Sequence, residues 1–116
     1  MKQLQETLNN FFKITHLNKD NLDQLYKSLI TEEFNEFMQE PERSPNQFKE
    51  LCDLIWVSIQ FANAQGYDLE KGMQALCEEY KSKLYNDKGE LSPQYNDNGK
   101  LLKGKYFKKA DFTKLV

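Results

Sequence analysis

The sequence predicts an all-α protein, a small four-helix-type bundle with an irregular or hairpin C-terminal tail. Three observations predict it: apolar residues recur at helical spacing in four successive segments, helix-start and helix-stop residues separate these segments, and turn sequences gather near the C-terminus. A length of 116 residues fits a single domain. We expect its helical core over about residues 3–84 and a basic tail over about residues 85–116.

The first two helices are predicted from their apolar stripes. In "QLQETLNNFFKI", the apolar residues Leu4, Leu8, Phe11 and Phe12 recur at helical spacing, which predicts a short amphipathic first helix. The second helix is expected to begin after Asp20 or Asn21, either of which can cap it, and to end near Gln39, before "PERSP". Its apolar stripe consists of Leu22, Leu25, Tyr26 and Leu29.

The third helix has the clearest start signal. Ser44 can cap it, Pro45 suits the first helical position, and Gln47 is placed to close a capping box. Apolar residues cover most of its circumference, which is typical of a central helix packed on several sides. One side is predicted to bury Phe48, Leu51, Cys52, Ile55, Ile59 and Ala62.

Gly66 suits the end of the third helix, and Asp68 can cap a fourth helix, "LEKGMQALCEEYKSKL". Beyond it, "NDKG" and "NDNG" are turn sequences, and the surrounding segment is expected to form a short hairpin or to wrap an outer surface. "NDNG" lacks the alternating acids and terminal glutamate of a calcium-binding loop, so we interpret it as a turn. No internal repeat is expected.

Composition and charge limit the function classes. The net charge of -2 gives no general reason for binding nucleic acid or an anionic membrane, and no long apolar run or hydrophobic leader is present. We therefore expect a cytoplasmic protein with two reduced cysteines, Cys52 and Cys77. A small domain leaves much apolar surface, so a homo-oligomer is expected, either a dimer or a tetramer.

Acidic residues lie where burial is expected. At about 100° per residue, Glu33 and Glu36 project within about 40° of Leu29, whereas Glu32 and Glu40 project within about 60°. The third helix carries a second pair at the same spacing, Glu50 and Asp53.

Each pair, at positions i and i+3, lies on one helix face. Four converging carboxylates repel one another and are costly to desolvate, so they require a cation or become protonated. A hard divalent metal such as Mg²⁺ takes oxygen ligands and shares its remaining positions with phosphates. Either pair alone is more simply a solvated acidic face. A carboxylate di-iron centre would need Glu-x-x-His motifs, and the single histidine, His16, is near the N-terminus.

The order of these acids resembles that of the MazG-type all-α nucleoside triphosphate pyrophosphohydrolases, relatives of dimeric dUTPases and of phosphoribosyl-ATP pyrophosphohydrolase. The family motif, ExxE followed by ExxD, is matched by "EFNE" at Glu33–Glu36 and "ELCD" at Glu50–Asp53. The resemblance covers roughly residues 8–112. "YKSKL" and "GKLLKGKYF" resemble elements near the end of several members, although Tyr80 stands where those members have asparagine.

The resemblance implies a function. It predicts a Mg²⁺-dependent enzyme, with Mn²⁺ as a possible substitute, that hydrolyses a (d)NTP to the monophosphate and pyrophosphate. It assigns metal binding and catalysis to Glu33, Glu36, Glu50 and Asp53, with Glu33 the first candidate for the general base. Phosphate binding is assigned to Lys83, Lys100 and Lys103.

Two alternatives remain open. One is hydrolysis of phosphoribosyl-ATP by the same chemistry. The other is a helical interaction module that keeps the scaffold but does no hydrolysis, and the departure at Tyr80 is the feature that favours it. Trp56 and Tyr80 are candidates for stacking on a base, but aromatic residues at helical spacing are more often part of a core.

Overall fold

The computed structural model describes residues 2–15 and 21–116, and over these residues the chain forms four α-helices and no β-strand. The prediction of an all-α protein is confirmed. The helices are α1 (Lys2–Thr15), α2 (Leu22–Gln39), α3 (Pro45–Gln65) and α4 (Leu69–Ser82). The chain divides into two units, Met1–Leu69 and Glu70–Val116, which are described separately. His16 and Asp20 lie outside the described residues.

The predicted ends of α3 are confirmed. The Ser44 Oγ accepts a hydrogen bond from the Gln47 backbone N–H at 3.0 Å, and Pro45 is the first helical residue. The capping box is displaced by one residue, because the Gln47 side chain accepts from the Arg43 N–H at 2.9 Å. At the other end, Gly66 has φ 73°, a left-handed conformation that suits glycine and ends the helix.

The predicted extent of α2 is also confirmed, but its predicted side-chain cap is not. Asn21 precedes Leu22 in a left-handed conformation, with φ 57°, and its side chain makes no capping hydrogen bond. Side-chain capping normally uses an extended residue, so the backbone conformation of Asn21 explains the difference. Asparagine tolerates the left-handed region better than most residues.

In the first unit, α3 lies between α1 and α2, as the prediction of a central helix requires. α2 runs antiparallel to α3: the Gln65 Nε2 donates to the Asp23 Oδ1 at 3.1 Å, while the loop at residues 40–44 joins the opposite ends. The fully buried residues in the described parts of the chain all belong to this unit: Leu8, Tyr26, Ile59, Gln60 and Ala62.

α1 runs antiparallel to α3 and covers its C-terminal half. The Gln5 Nε2 donates to the Asn63 Oδ1 at 3.3 Å. The buried Gln60 Nε2 donates to the Leu8 carbonyl at 3.0 Å. Further along α1, the Phe11 ring packs edge-on against Trp56, with 5.3 Å between ring centroids.

The predicted buried side of α3 is correct for only two of its six residues. Ile59 and Ala62 are buried, but Phe48 is 70% exposed, and the same side continues through three further exposed residues, Leu51, Cys52 and Ile55. The reason is the placement of α1, which contacts α3 at Trp56, Gln60 and Asn63, in the half that contains Ile59 and Ala62. We call the exposed residues Phe48, Leu51, Cys52 and Ile55 the α3 apolar stripe.

In the second unit, the C-terminal segment returns along α4. The Ser82 Oγ accepts from the Lys108 N–H at 2.8 Å, and the Glu79 Oε1 accepts from the Ala110 N–H at 3.0 Å. Closer to the start of α4, the Phe112 ring lies against Gly72. None of the α4 residues is fully buried.

The two turns of the second unit have the same structure. "YNDKGEL" and "YNDNGKL" are each closed by one antiparallel bridge, Tyr85 with Leu91 and Tyr95 with Leu101. In each turn the side chain of the asparagine, Asn86 or Asn96, accepts two backbone N–H groups, at 2.9 and 3.0 Å.

The glycine of each turn has a positive φ angle, which is 76° for Gly89 and 82° for Gly99. The prediction of turns is confirmed, and the expectation of no internal repeat is wrong. The repeat is short and largely polar, so hydrophobic periodicity did not reveal it, although the shared Tyr-Asn-Asp-x-Gly-x-Leu pattern would have.

Candidate metal centre

The predicted acids meet where the C-terminal half of α2 packs against the N-terminal half of α3. One carboxylate oxygen from each of Glu33, Glu50 and Asp53 lies within 4.8 Å of the other two. Glu36 adjoins this group, since its carboxyl raises the pKa of both Glu33 and Glu50. We call these four residues the acid cluster. The two sequence motifs therefore form one group in the fold.

Two oxygens of the acid cluster are buried without a partner. The Oε2 atoms of Glu33 and Glu50 are inaccessible to solvent and accept no hydrogen bond. The Glu50 side chain as a whole is only 15% exposed, and that of Asp53 is 35% exposed. Burying a carboxylate oxygen without a donor is costly, so these atoms favour either a proton or a cation.

Burial raises the pKa of the Glu33 carboxyl, and the nearby charges of Glu36 and Asp53 raise it further. Burial also raises the pKa of the Glu50 carboxyl, as does the neighbouring carboxyl of Glu36, whereas the ammonium of Lys49 lowers it. The acid cluster is therefore a site where negative charge is incompletely compensated.

Lys49 is a member of the site that the sequence analysis missed. Its Nζ lies 2.6 Å from the Asp53 Oδ2 and 4.0 Å from the Glu50 Oε1. The i, i+4 spacing of Lys49 and Asp53 on a helix was the available signal. Asp53 and its neighbours raise the pKa of Lys49, chiefly through the hydrogen bond to Asp53, so its ammonium is present over the whole neutral range.

The residues present fit a hard divalent cation. The donor set is entirely carboxylate oxygen, three of these oxygens converge, and two buried oxygens have unused acceptor capacity. Mg²⁺ prefers such ligands and usually keeps several of its water molecules, so it does not need a complete set of protein ligands. The cluster contains no histidine, so it does not match the Glu-x-x-His pattern of a di-iron centre.

The other two glutamates of this segment, Glu32 in α2 and Glu40 directly after it, differ from this group. Glu32 is exposed, and Glu40 is a half-buried residue at the end of the helix. Neither belongs to the converging carboxylates found among the described residues. Position on the apolar stripe was therefore insufficient to define the site; packing against α3 was also needed.

The three predicted phosphate-binding lysines belong to the second unit. The Lys83 Nζ lies 4.3 Å from the centroid of the Tyr80 ring and 5.9 Å from that of Phe107. The Lys103 Nζ lies 4.9 Å from the Phe107 centroid, so two of the three ammonium groups share one ring. Lys100 belongs to the second turn, where its backbone N–H donates to Asn96.

Comparison with known proteins finds no match: no family model, no curated protein and no solved structure is detectably similar to the chain. In the described parts of the chain, no helix has the length and apolar content that a membrane crossing requires. Inferences about function therefore depend on the residues of the acid cluster and their surroundings.

Proposed function

We propose that the protein is a Mg²⁺-dependent nucleoside triphosphate pyrophosphohydrolase of the MazG type, which converts a (d)NTP to the (d)NMP and pyrophosphate. The observation that carries the proposal is the convergence of Glu33, Glu50 and Asp53, beside Glu36, from two motifs on neighbouring helices. The two unpartnered buried oxygens support it, because a purely solvated acidic face would leave no carboxylate oxygen inaccessible.

The acid cluster would hold the cation through Glu33, Glu36, Glu50 and Asp53. When bound, Mg²⁺ supplies charge neutralisation for phosphate oxygens and lowers the pKa of water. In the reaction, a water oxygen bonds to the α-phosphorus as the bridging oxygen leaves with pyrophosphate, and a base accepts the water proton. We assign that base to Glu33, in which case Glu36, Glu50 and Asp53 hold the cation.

Phosphate binding by Lys83, Lys100 and Lys103 is part of the proposal. An ammonium group is a mobile point charge with three donors, which suits the outer oxygens of a triphosphate. The ammonium groups of Lys83 and Lys103 lie over aromatic rings. Such a cation–π contact leaves the N–H groups on the far side of the ammonium free to donate to phosphate oxygens.

The proposal includes a second copy of the chain. The α3 apolar stripe exposes large side chains on the side of α3 roughly opposite Glu50 and Asp53. Contiguous exposed apolar residues of this kind are typical of protein interfaces. A homodimer or homotetramer would cover the stripe without obstructing the acid cluster.

The test is a panel of purified nucleoside and deoxynucleoside triphosphates with Mg²⁺. We expect equal amounts of monophosphate and pyrophosphate from at least one nucleotide, and no turnover when the metal is removed by chelation. Release of single phosphate, or no turnover across the panel, would contradict the proposal.

Variants locate the activity. Glu36→Gln and Asp53→Asn each remove one charge at nearly constant shape, and we expect turnover to fall about a hundredfold or more. Glu32→Gln is the matched control, because Glu32 is an exposed glutamate directly before the first motif on the same helix. Circular dichroism of each variant checks that the helices are retained. If Glu32→Gln loses as much turnover as the other two variants, the activity does not depend specifically on the acid cluster.

A further inference from the structure

The Lys49 side chain is positioned where a bound cation would interact with the acid cluster. Its Nζ is 2.6 Å from the Asp53 Oδ2 and 4.0 Å from the Glu50 Oε1, and both carboxylates are much less exposed than the lysine itself. Two other ion pairs of the described residues, Lys27 with Asp23 and Lys81 with Glu78, join side chains that are all more than half exposed. The Lys49 pair is thus directed into a half-buried site.

A single ammonium compensates the acid cluster incompletely. The acid cluster has four carboxylates for this one ammonium, and the Oε2 atoms of Glu33 and Glu50 are left without any partner. A divalent cation brings twice the charge and can take several oxygens at once, whereas the ammonium hydrogen-bonds chiefly to Asp53. A cation at the cluster would also repel the Lys49 ammonium at short range.

We propose that Lys49 is an intrinsic counter-ion: its ammonium pairs with the Asp53 carboxylate in the metal-free protein, and a divalent cation displaces it on binding. The inference rests on the proposed metal site. Displacement requires only a side-chain rotation, because Lys49 is 67% exposed and its stem is flexible. Lys49 thereby sets the cation affinity of the acid cluster, and it stabilises the metal-free fold by reducing repulsion between carboxylates.

The experiment compares cation binding by four forms of the full chain. Mg²⁺ and Mn²⁺ are titrated separately by isothermal calorimetry at constant ionic strength into wild type, Lys49→Met, Lys49→Arg and Lys27→Met. Lys27→Met is the matched control, since Lys27 is 69% exposed and pairs with Asp23 across the same i, i+4 spacing on α2. Methionine keeps the apolar stem of lysine and removes the charge.

We expect Lys49→Met to bind the cation about threefold to tenfold more tightly than wild type, with Lys27→Met unchanged. Lys49→Arg should bind more weakly, because a guanidinium holds a carboxylate with two parallel hydrogen bonds. Without metal, the melting temperature of Lys49→Met should fall below that of wild type, and Mg²⁺ should reverse the difference.

The outcomes separate this inference from the proposed function. Unchanged or weaker cation binding in Lys49→Met overturns the inference while leaving the metal site in place. Absence of cation binding in every form overturns the proposed function instead. If Lys49→Met does not fold, the comparison of wild type with Lys49→Arg decides, and equal affinities overturn the inference.

Discussion

The carboxyls of Glu33 and Glu50 each contain one buried oxygen without a hydrogen-bond donor. Their pKa values are raised, first by burial and then by neighbouring acids or hydrogen bonds. In the metal-free protein, these residues therefore oppose folding whenever they are ionised. The same property makes them suited to a cation, which removes the repulsion.

This arrangement predicts how the stability of the metal-free protein depends on pH. Because folding raises these pKa values above the ordinary 4.5, the folded chain binds protons more tightly than the unfolded chain. The resulting contribution to stability is complete below pH 4.5 and is lost as the pH rises through the raised pKa values. We expect the urea concentration at the midpoint of unfolding, measured in the presence of a chelator, to fall as the pH rises above 4.5 through the raised pKa values.

Substitution identifies the carboxyl responsible. Glu33→Gln should flatten the fall in stability because it removes the titrating group, whereas Glu32→Gln should retain the wild-type slope. A Glu33→Gln slope identical to that of wild type would show that Glu33 does not contribute.

At the scale of elements, the N-terminus of α3 positions half of the acid cluster, because Glu50 and Asp53 follow it within about two and a half turns. Its start depends on the hydrogen bond between the Ser44 Oγ and the Gln47 N–H. Ser44→Ala should lower the free energy of unfolding by about 1 kcal/mol, as measured by urea denaturation. Ser58→Ala is the control: the Ser58 Oγ only donates to the Leu54 carbonyl in mid-helix, and its loss should change stability much less.

In the second unit, Gly104 allows two segments to approach closely. A Cβ built on Gly104 would lie 2.5 Å from the Tyr85 carbonyl oxygen, which is too close for any side chain. Gly104→Ala should therefore destabilise this unit by about 1–3 kcal/mol, observed as faster hydrogen exchange in residues 85–106. Gly72→Ala is the contrasting variant, because its Cβ would make an ordinary 3.5 Å contact with Phe112 and alanine favours a helix. Equal exchange in the two variants would contradict the prediction.

At the scale of the whole molecule, the α3 apolar stripe predicts self-association. Sedimentation should give a mass at least twice the 13.7 kDa of one chain. Phe48→Glu should shift the protein toward the monomer, because it introduces a charge at a position of the stripe that is 70% exposed. Val116→Glu makes a comparable apolar-to-acidic change at an exposed terminal residue and should leave the mass unchanged. A monomeric wild type would contradict the proposed second copy.

The sequence by itself determined the helices and the spacing of the acids. Helix starts and stops depend on a few neighbouring residues, so Ser44 and Pro45 and, at the other end, Gly66 marked α3 correctly. The i, i+3 spacing likewise placed each acid pair on one helix face, and the structure brings those faces together. Periodicity also predicted a third helix packed on more than one side.

Only the tertiary structure decided which apolar residues are covered, and that the ammonium of Lys49 contacts the acid cluster. Phe48 and Ile59 follow the same helical stripe, yet Ile59 is buried, in the half of α3 that α1 contacts, and Phe48 is exposed in the other half. Lys49 was an ordinary surface lysine in the sequence, and its ion pair with Asp53 became informative only when α2 brought further carboxylates beside it. Burial and charge compensation depend on where other segments lie, and this information is absent from any short stretch of sequence.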